Sequence, residues 1–177
     1  MRKVKMEELE RVGVEAFREQ PKTPLVLVLD NVRSAHNVGS AFRTADAFAL
    51  SEVVLCGITA QPPHREILKT ALGATESVRW SYHEEVAEAI AALRSEGYAI
   101  WAVEQAIGRC WLQDFQPTDG QPVALIFGNE VEGVSEVAMA LSDGAIEIPQ
   151  FGTKHSLNVA VSMGIVVWDV FRKMRQW

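Results

Sequence analysis

Five consecutive aliphatic residues, Leu25, Val26, Leu27, Val28 and Leu29, closed by Asp30, set the tightest limit on what this chain can fold into. A strand with one wet face alternates apolar and polar residues. An unbroken Leu/Val run is instead a strand covered on both faces, as in a parallel sheet sandwiched by helices. Five further short runs, at residues 53–56, 77–80, 98–103, 122–127 and 145–149, join residues 25–30 as expected strands. Between them apolar residues recur at helical spacing: Val38, Ala41, Phe42, Ala45 and Ala49 on one segment, Val86, Ala89, Ile90 and Leu93 on a second, Val137, Ala140 and Leu141 on a third. This alternation predicts an α/β fold, a mostly parallel sheet with helices on both faces.

The two ends differ from that pattern. Met6, Leu9, Val12 or Gly13, and Phe17 suggest a short amphipathic helix, followed by a linker at 21–24, so residues 1–24 read as an N-terminal extension and 25–177 as one domain. Residues 155–174 are apolar over much of their surface, which suits a buried helix or one at a subunit interface. The 177 residues suffice for a single core without disulfides or metal. Cys56 and Cys110 have no partner spacing, which excludes a disulfide framework and a four-thiolate zinc site. With no secretory leader and no apolar run near the ~18 residues of a membrane span, a soluble, cytoplasmic protein is expected.

A net charge of −6 argues against a phosphate-rich partner only as an average. Residues 76–147 hold 13 acidic and three basic groups, while the rest of the chain is neutral to positive and can offer a local anion-binding surface.

Ligands of parallel α/β sheets collect beyond the carboxyl ends of the strands. No Gly-x-Gly-x-x-Gly follows a strand, and there is no Gly-x-x-x-x-Gly-Lys-Ser/Thr loop, no Gly-x-Ser-x-Gly and no zinc-spaced cluster, so dinucleotide, P-loop and nucleophile-elbow enzymes are poor readings. Three other loops carry polar residues. After the first strand, Asn37 reads as an N-cap, with Arg43 almost two turns along the helix. After residues 122–127, Gly128 allows backbone to approach a ligand, Glu130 is either an acceptor with partners or a turn carboxylate, and Gly133 before Ser135 reads as a turn leading to a helix cap. After the last strand, Ser156 or Asn158 can cap the final helix, whose free amides suit an anionic group. Singly, each loop has an ordinary reading: Asn37 as a cap and Arg43 as a surface charge, Glu130 as a turn carboxylate, Ser156 and Asn158 as caps.

Jointly they are not. Asn37-Val38-Gly39 with Arg43-Thr44-Ala45, then Phe127-Gly128-Asn129-Glu130 with Gly133, then Ile148-Pro149 with Ser156-Leu157-Asn158, resemble in order the three motifs of the SpoU or TrmH family of RNA ribose 2'-O-methyltransferases, in the SPOUT superfamily. The resemblance covers about residues 25–173 and implies a C-terminal trefoil knot, an S-adenosylmethionine site in the knotted loops, and a homodimer with sites near its interface. It assigns catalysis to Arg43, Asn37, Glu130, Ser156 and Asn158, with Asn37 orienting Arg43. Cofactor contacts fall to Gly128, Asn129, Glu130, Ile148, Ser156, Leu157 and Asn158. RNA contacts are expected from Arg33, His36, Arg43 and Lys154, with Arg172, Lys173 and Arg175 as further candidates, and no metal is needed.

The short extension before the first strand leaves no room for a separate RNA-binding domain, which favours tRNA over rRNA as substrate. A noncatalytic RNA-binding protein that keeps the fold is the competing class, and a base-methylating SPOUT enzyme a third. The presence of Arg43 and Asn158 together, and the ribose-type first motif, count against both.

Overall fold

The aliphatic run becomes the centre of the molecule. A computed structural model describes residues 1–5, 8–9 and 11–175. Among them, seven strands form one all-parallel sheet: β1 (Thr23–Asp30), β2 (Leu50–Cys56), β3 (Trp80–His83), β4 (Ala99–Val103), β5 (Cys110–Trp111), β6 (Val123–Phe127) and β7 (Gly144–Glu147), in the spatial order β3-β2-β1-β6-β4-β7-β5. The helices are α1 (Val14–Glu19), α2 (Ala35–Ala47), α3 (Arg65–Ala71), α4 (Ala74–Ser77), α5 (Val86–Ser95), α6 (Glu136–Leu141) and α7 (Val159–Arg175). No helix among the described residues is long and apolar enough to cross a membrane.

Strand periodicity of two sends alternate side chains to opposite faces. Leu25, Leu27 and Leu29 accordingly pack with Phe42 of α2 and Met163, Val166, Val167 and Val170 of α7, while Val26 and Val28 pack with Ile90 and Leu93 of α5 and Ala138 of α6. The expected three-layer α/β architecture is therefore present. Seven described strands or helices had the right kind and place from pattern alone: β1, β2, β4, β6, β7, α2 and α5, the last with its four expected apolar residues all buried.

Four expectations need correction. Residues 77–80 do not form a strand: Ser77 ends α4, its hydroxyl donating to Asp46 Oδ1 at 2.6 Å, and the strand starts at Trp80, which pairs with Val53 of β2. The face of α6 is rotated from the expected one, since Ala138 is buried whereas Val137 and Leu141 are 53% and 40% exposed. Three apolar positions in a six-residue helix cannot fix its phase, which is set by how its first turn is anchored. Among the described residues of the N-terminal segment, the α-helix is α1 alone; Leu9 and Val12 are exposed, and Met6 lies outside the described residues. The last helix starts at Val159 rather than residue 155, because Asn158 caps it, Oδ1 accepting from the amide of Ala160 at 2.9 Å. Three elements escaped the pattern altogether: α3 buries only Ile67 and Ala71, α4 is four residues long, and β5 is two residues long.

Leu27 is fully buried and belongs to the core on the α2 and α7 face of the sheet. Leu27→Ala is expected to cost about 2–5 kcal/mol in a urea titration, whereas Ile107→Ala, at a wholly exposed position, leaves the midpoint unchanged.

Candidate active site

In a parallel sheet every carboxyl end lies on one edge, so the loops that follow the strands gather there. The loop after β1 enters α2 through Ser34, whose hydroxyl oxygen accepts the amide of Asn37 at 3.4 Å. Ser34, not Asn37, is thus the N-cap. Asn37 sits one turn inside α2 with 8% exposure, which frees its carboxamide for long-range partners. Its Nδ2 donates to Glu130 Oε1 at 2.7 Å, and its Oδ1 accepts from Asn158 Nδ2 at 3.4 Å. One residue from each of the three loops is therefore joined in a single hydrogen-bonded chain, across 93 and 121 residues of sequence. Glu130 is an acceptor with a partner rather than an ordinary turn carboxylate.

The loop carrying Glu130 is built from its own backbone. Asn129 and Gly133 exchange two hydrogen bonds of 3.1 Å, and Asn129 Oδ1 accepts the amides of Val131 and Glu132 at 2.8 Å each. The oxygen of Asn129 is thereby committed to the turn. Gly128 lies where the two legs of this turn meet: a Cβ there would stand 1.9 Å from the carbonyl carbon of Gly133 and 2.1 Å from the nitrogen of Val134. Gly39 answers a different need, since a Cβ on it would meet Thr70 Oγ1 at 1.9 Å and the carbonyl oxygen of Ile67 at 2.6 Å. That glycine lets α3 pack against α2 and is no ligand contact.

Beside the hydrogen-bonded chain opens a cavity of about 550 Å³, within the ~300–1,000 Å³ usual for small-molecule sites. Gly128, Asn129, Glu130, Ile148, Ser156, Leu157 and Asn158 all line it, so every expected cofactor residue is gathered here. Val103, Glu104 and Gln105, at the end of β4, line it as well, and the Gln105 side chain donates to the carbonyl of His155. Sequence reading passed over this third wall, although its place directly after a strand marked it.

The expected cationic residues lie elsewhere. Arg43 is exposed and lines a second cleft with Arg11, Asp46 and Glu76. It stands six residues beyond Asn37 on α2, about 9 Å along the axis and about 120° around it. Asn37 therefore does not orient Arg43 within one chain. His36 pairs with Glu66 of α3 at 2.7 Å, a local contact, and Arg33 and Lys154 are exposed outside the cavity. Lys173 is no free cation for RNA: its side chain is 8% exposed, paired with Asp169 and donating to the carbonyl of Leu112 at 2.6 Å. Arg172 is likewise paired with Asp169, and Arg175 lies over the ring of Phe171.

A buried, all-parallel sheet with a cavity at its carboxyl edge, lined by polar loops that carry no phosphate-binding glycine motif, defines an α/β protein built to hold a small ligand. The family model of the SpoU rRNA methylase family matches residues 24–168, and the chain belongs to that family. It is 34% identical over 167 residues to the tRNA (guanosine(18)-2'-O)-methyltransferase of Thermus thermophilus, covering 94% of this chain and 84% of that protein. To the 23S rRNA (guanosine-2'-O-)-methyltransferase RlmB of Vibrio parahaemolyticus it is 31% identical, covering 94% of this chain and 66% of the other. The crystal structure of the AdoMet-bound rRNA methyltransferase from Sinorhizobium meliloti superposes with a TM-score of 0.79 at 27% identity, over 89% of this chain and 59% of that one.

The cavity fits S-adenosylmethionine. Ile148, Leu157 and Val103 provide apolar wall, the loop and the β4 end provide polar groups, and Gly128 keeps the loop closed without a side chain. Gly128→Ala must spread that loop, so S-adenosylmethionine affinity in calorimetry is expected to fall at least about tenfold, ~1.4 kcal/mol, with the far-ultraviolet circular dichroism unchanged. Burial pushes the Cys56 thiol up to about 12, with the Asp30 carboxylate adding to the effect. The folded protein should therefore leave Cys56 unalkylated by iodoacetamide at mildly alkaline pH, and modify it only after unfolding.

Proposed function

We propose that this chain transfers a methyl group from S-adenosylmethionine to a ribose 2'-hydroxyl of tRNA. The observation that carries the reading is the hydrogen-bonded chain Glu130–Asn37–Asn158 at the mouth of the cofactor cavity. The donor, when bound, supplies an electrophilic methyl on a sulfonium. What the protein must add is orientation of the ribose oxygen and a route for its proton. Asn37 fixes the Glu130 carboxylate through Oε1, and Asn158 holds Asn37 from the other side. Arg43 brings a charged, planar fork suited to a phosphate. A guanidinium that stays protonated is a poor base, so Arg43 binds the target phosphate and stabilises the developing alkoxide while the proton leaves to phosphate or water.

Arg43 and Glu130 lie on different clefts of one chain. A homodimer in which the arginine of one copy serves the cavity of the other resolves this. The exposed stripe Val161, Ile165 and Trp168 on α7 supports such an interface. The sheet and its helices, from Thr23 at the start of β1 onward, form the catalytic domain rather than starting at the expected residue 25, and the segment before it is the extension, whose α1 is tied to α4 by Arg18 Nε donating to the carbonyl of Glu76 at 2.9 Å. The tRNA reading is supported by the 34% identity to the Thermus tRNA enzyme over 94% of this chain. A cytoplasmic setting follows from that substrate.

Labelled methyl from S-adenosylmethionine is expected to enter tRNA rather than rRNA taken from a strain lacking the gene, at a nuclease-resistant 2'-O-methyl nucleotide. Label in rRNA alone would keep the chemistry and overturn the substrate, and no label with cofactor bound would mark a noncatalytic RNA-binding protein. Arg43→Lys keeps the charge and loses the fork, so kcat should drop on the order of 100-fold. Mixing the inactive Arg43→Ala and Glu130→Gln proteins should restore activity if Arg43 acts across the dimer, because one kind of mixed site is then intact. Mixed proteins that stay inactive would place both residues in the same chain's site.

A further inference from the structure

We propose that Asp30 and Glu104 are positioning residues that hold Glu130 in place by gripping the neck of its loop from both sides. The loop leaves β6, and in the sheet β6 lies between β1 and β4. Asp30 is the last residue of β1, and Glu104 follows the last residue of β4. Asp30 Oδ2 accepts the amide of Ser135 at 2.8 Å, and Glu104 Oε2 accepts the amide of Val134 at 3.0 Å. Two consecutive amides are thus tied to the two neighbouring strands, across 105 and 30 residues of sequence. The second oxygens are used too: Asp30 Oδ1 accepts from Asn31 Nδ2, and Glu104 Oε1 accepts from the amide of Gln105, each at 2.8 Å.

Asp30 is 1% exposed, and a carboxylate that deep is expensive unless fully hydrogen-bonded. Apolar residues would hold α6 against the sheet without that expense, but they cannot accept an amide. The carboxylates therefore secure a position rather than stability. That position matters because Asn129 and Gly133 close the loop on itself, so Glu130 moves as a body with the neck at Val134 and Ser135. Against Asn37 the carboxylate has a 2.7 Å contact that a small shift of the neck would open.

This inference rests on Glu130 belonging to the active site, and the test separates the two. Asp30→Asn offers one acceptor oxygen where two are needed, so either Ser135 N–H or Asn31 Nδ2 loses its partner. Single-turnover methyl transfer at saturating cofactor and tRNA is measured for Asp30→Asn, Glu130→Gln and the double variant. The expected result is a loss of about 10- to 100-fold for Asp30→Asn in the wild-type background, shrinking to less than about threefold in the Glu130→Gln background, because the residue to be positioned is gone. An equal loss in both backgrounds, or no loss in either, overturns the positioning role and leaves the site reading standing. Wild-type rate in Glu130→Gln alone overturns both.

Should Asp30→Asn fail to fold, Ser135→Pro removes the amide that Asp30 accepts at a residue whose φ of −61° suits proline, and Ser135→Ala removes only the helix-capping hydroxyl. Ser135→Pro is expected to transfer methyl about tenfold or more slowly than Ser135→Ala, with the difference vanishing in the Glu130→Gln background. Equal rates for the two would overturn the proposal.

Discussion

A strand buried on both faces can show polar chemistry only where it ends, and β1 imposes that condition on the whole molecule. Its residues from Leu25 to Leu29 are at most 1% exposed, and helices α2 and α7 on one side and α5 and α6 on the other cover its two faces. Because the strands are all parallel, the polar groups that follow β1, β4, β6 and β7 meet on one edge. Asp30, Glu104, Glu130 and Asn158 come from four different stretches of chain, and the sheet alone makes them neighbours. The cavity and its hydrogen-bonded chain follow from that edge.

Within the site, side chains of the motifs serve unlike ends. Asn37, Glu130 and Asn158 hold one another. Gly39 and Gly128 are required because backbone or side-chain atoms occupy the space a Cβ would take, in one case for α3 to pack on α2 and in the other for the loop to close. Arg43 shares a motif with Asn37 but not a cleft, since six residues of helix turn it away. A motif in sequence thus splits into a packing glycine, a network residue and an outward cation, and completing the site by pairing two chains is consistent with that division.

How much was legible depended on whether a segment carries its own signal. Strands β1 and β6 were legible because a doubly buried strand is apolar along its covered length, β2 and β4 because each carries a compact apolar run, at residues 53–56 and 99–103, and α5 because four buried residues fix a helical phase. Helix α3, with two buried residues, and β5, with two residues in all, have too little pattern to read. The face of α6 was misread because its orientation comes from the amide of Ser135 on Asp30, a contact 105 residues away. Ser34 displaced Asn37 as the cap of α2 because both types cap well locally, and only the pull of Glu130 on the Asn37 carboxamide distinguishes them.

By itself the sequence determined the layer order, the burial of β1 and the set of polar residues that follow the strands, since hydrophobic periodicity is a local property and survives in one dimension. Only the tertiary structure decided which of those residues touch. It joined Asn37 to Glu130 and Asn158, set Arg43 apart, and placed Asp30 and Glu104 on either side of the loop from β6. Hydrogen bonds of about 3 Å between residues 30 to 121 apart depend on strand order, and strand order is fixed only when the whole sheet is assembled.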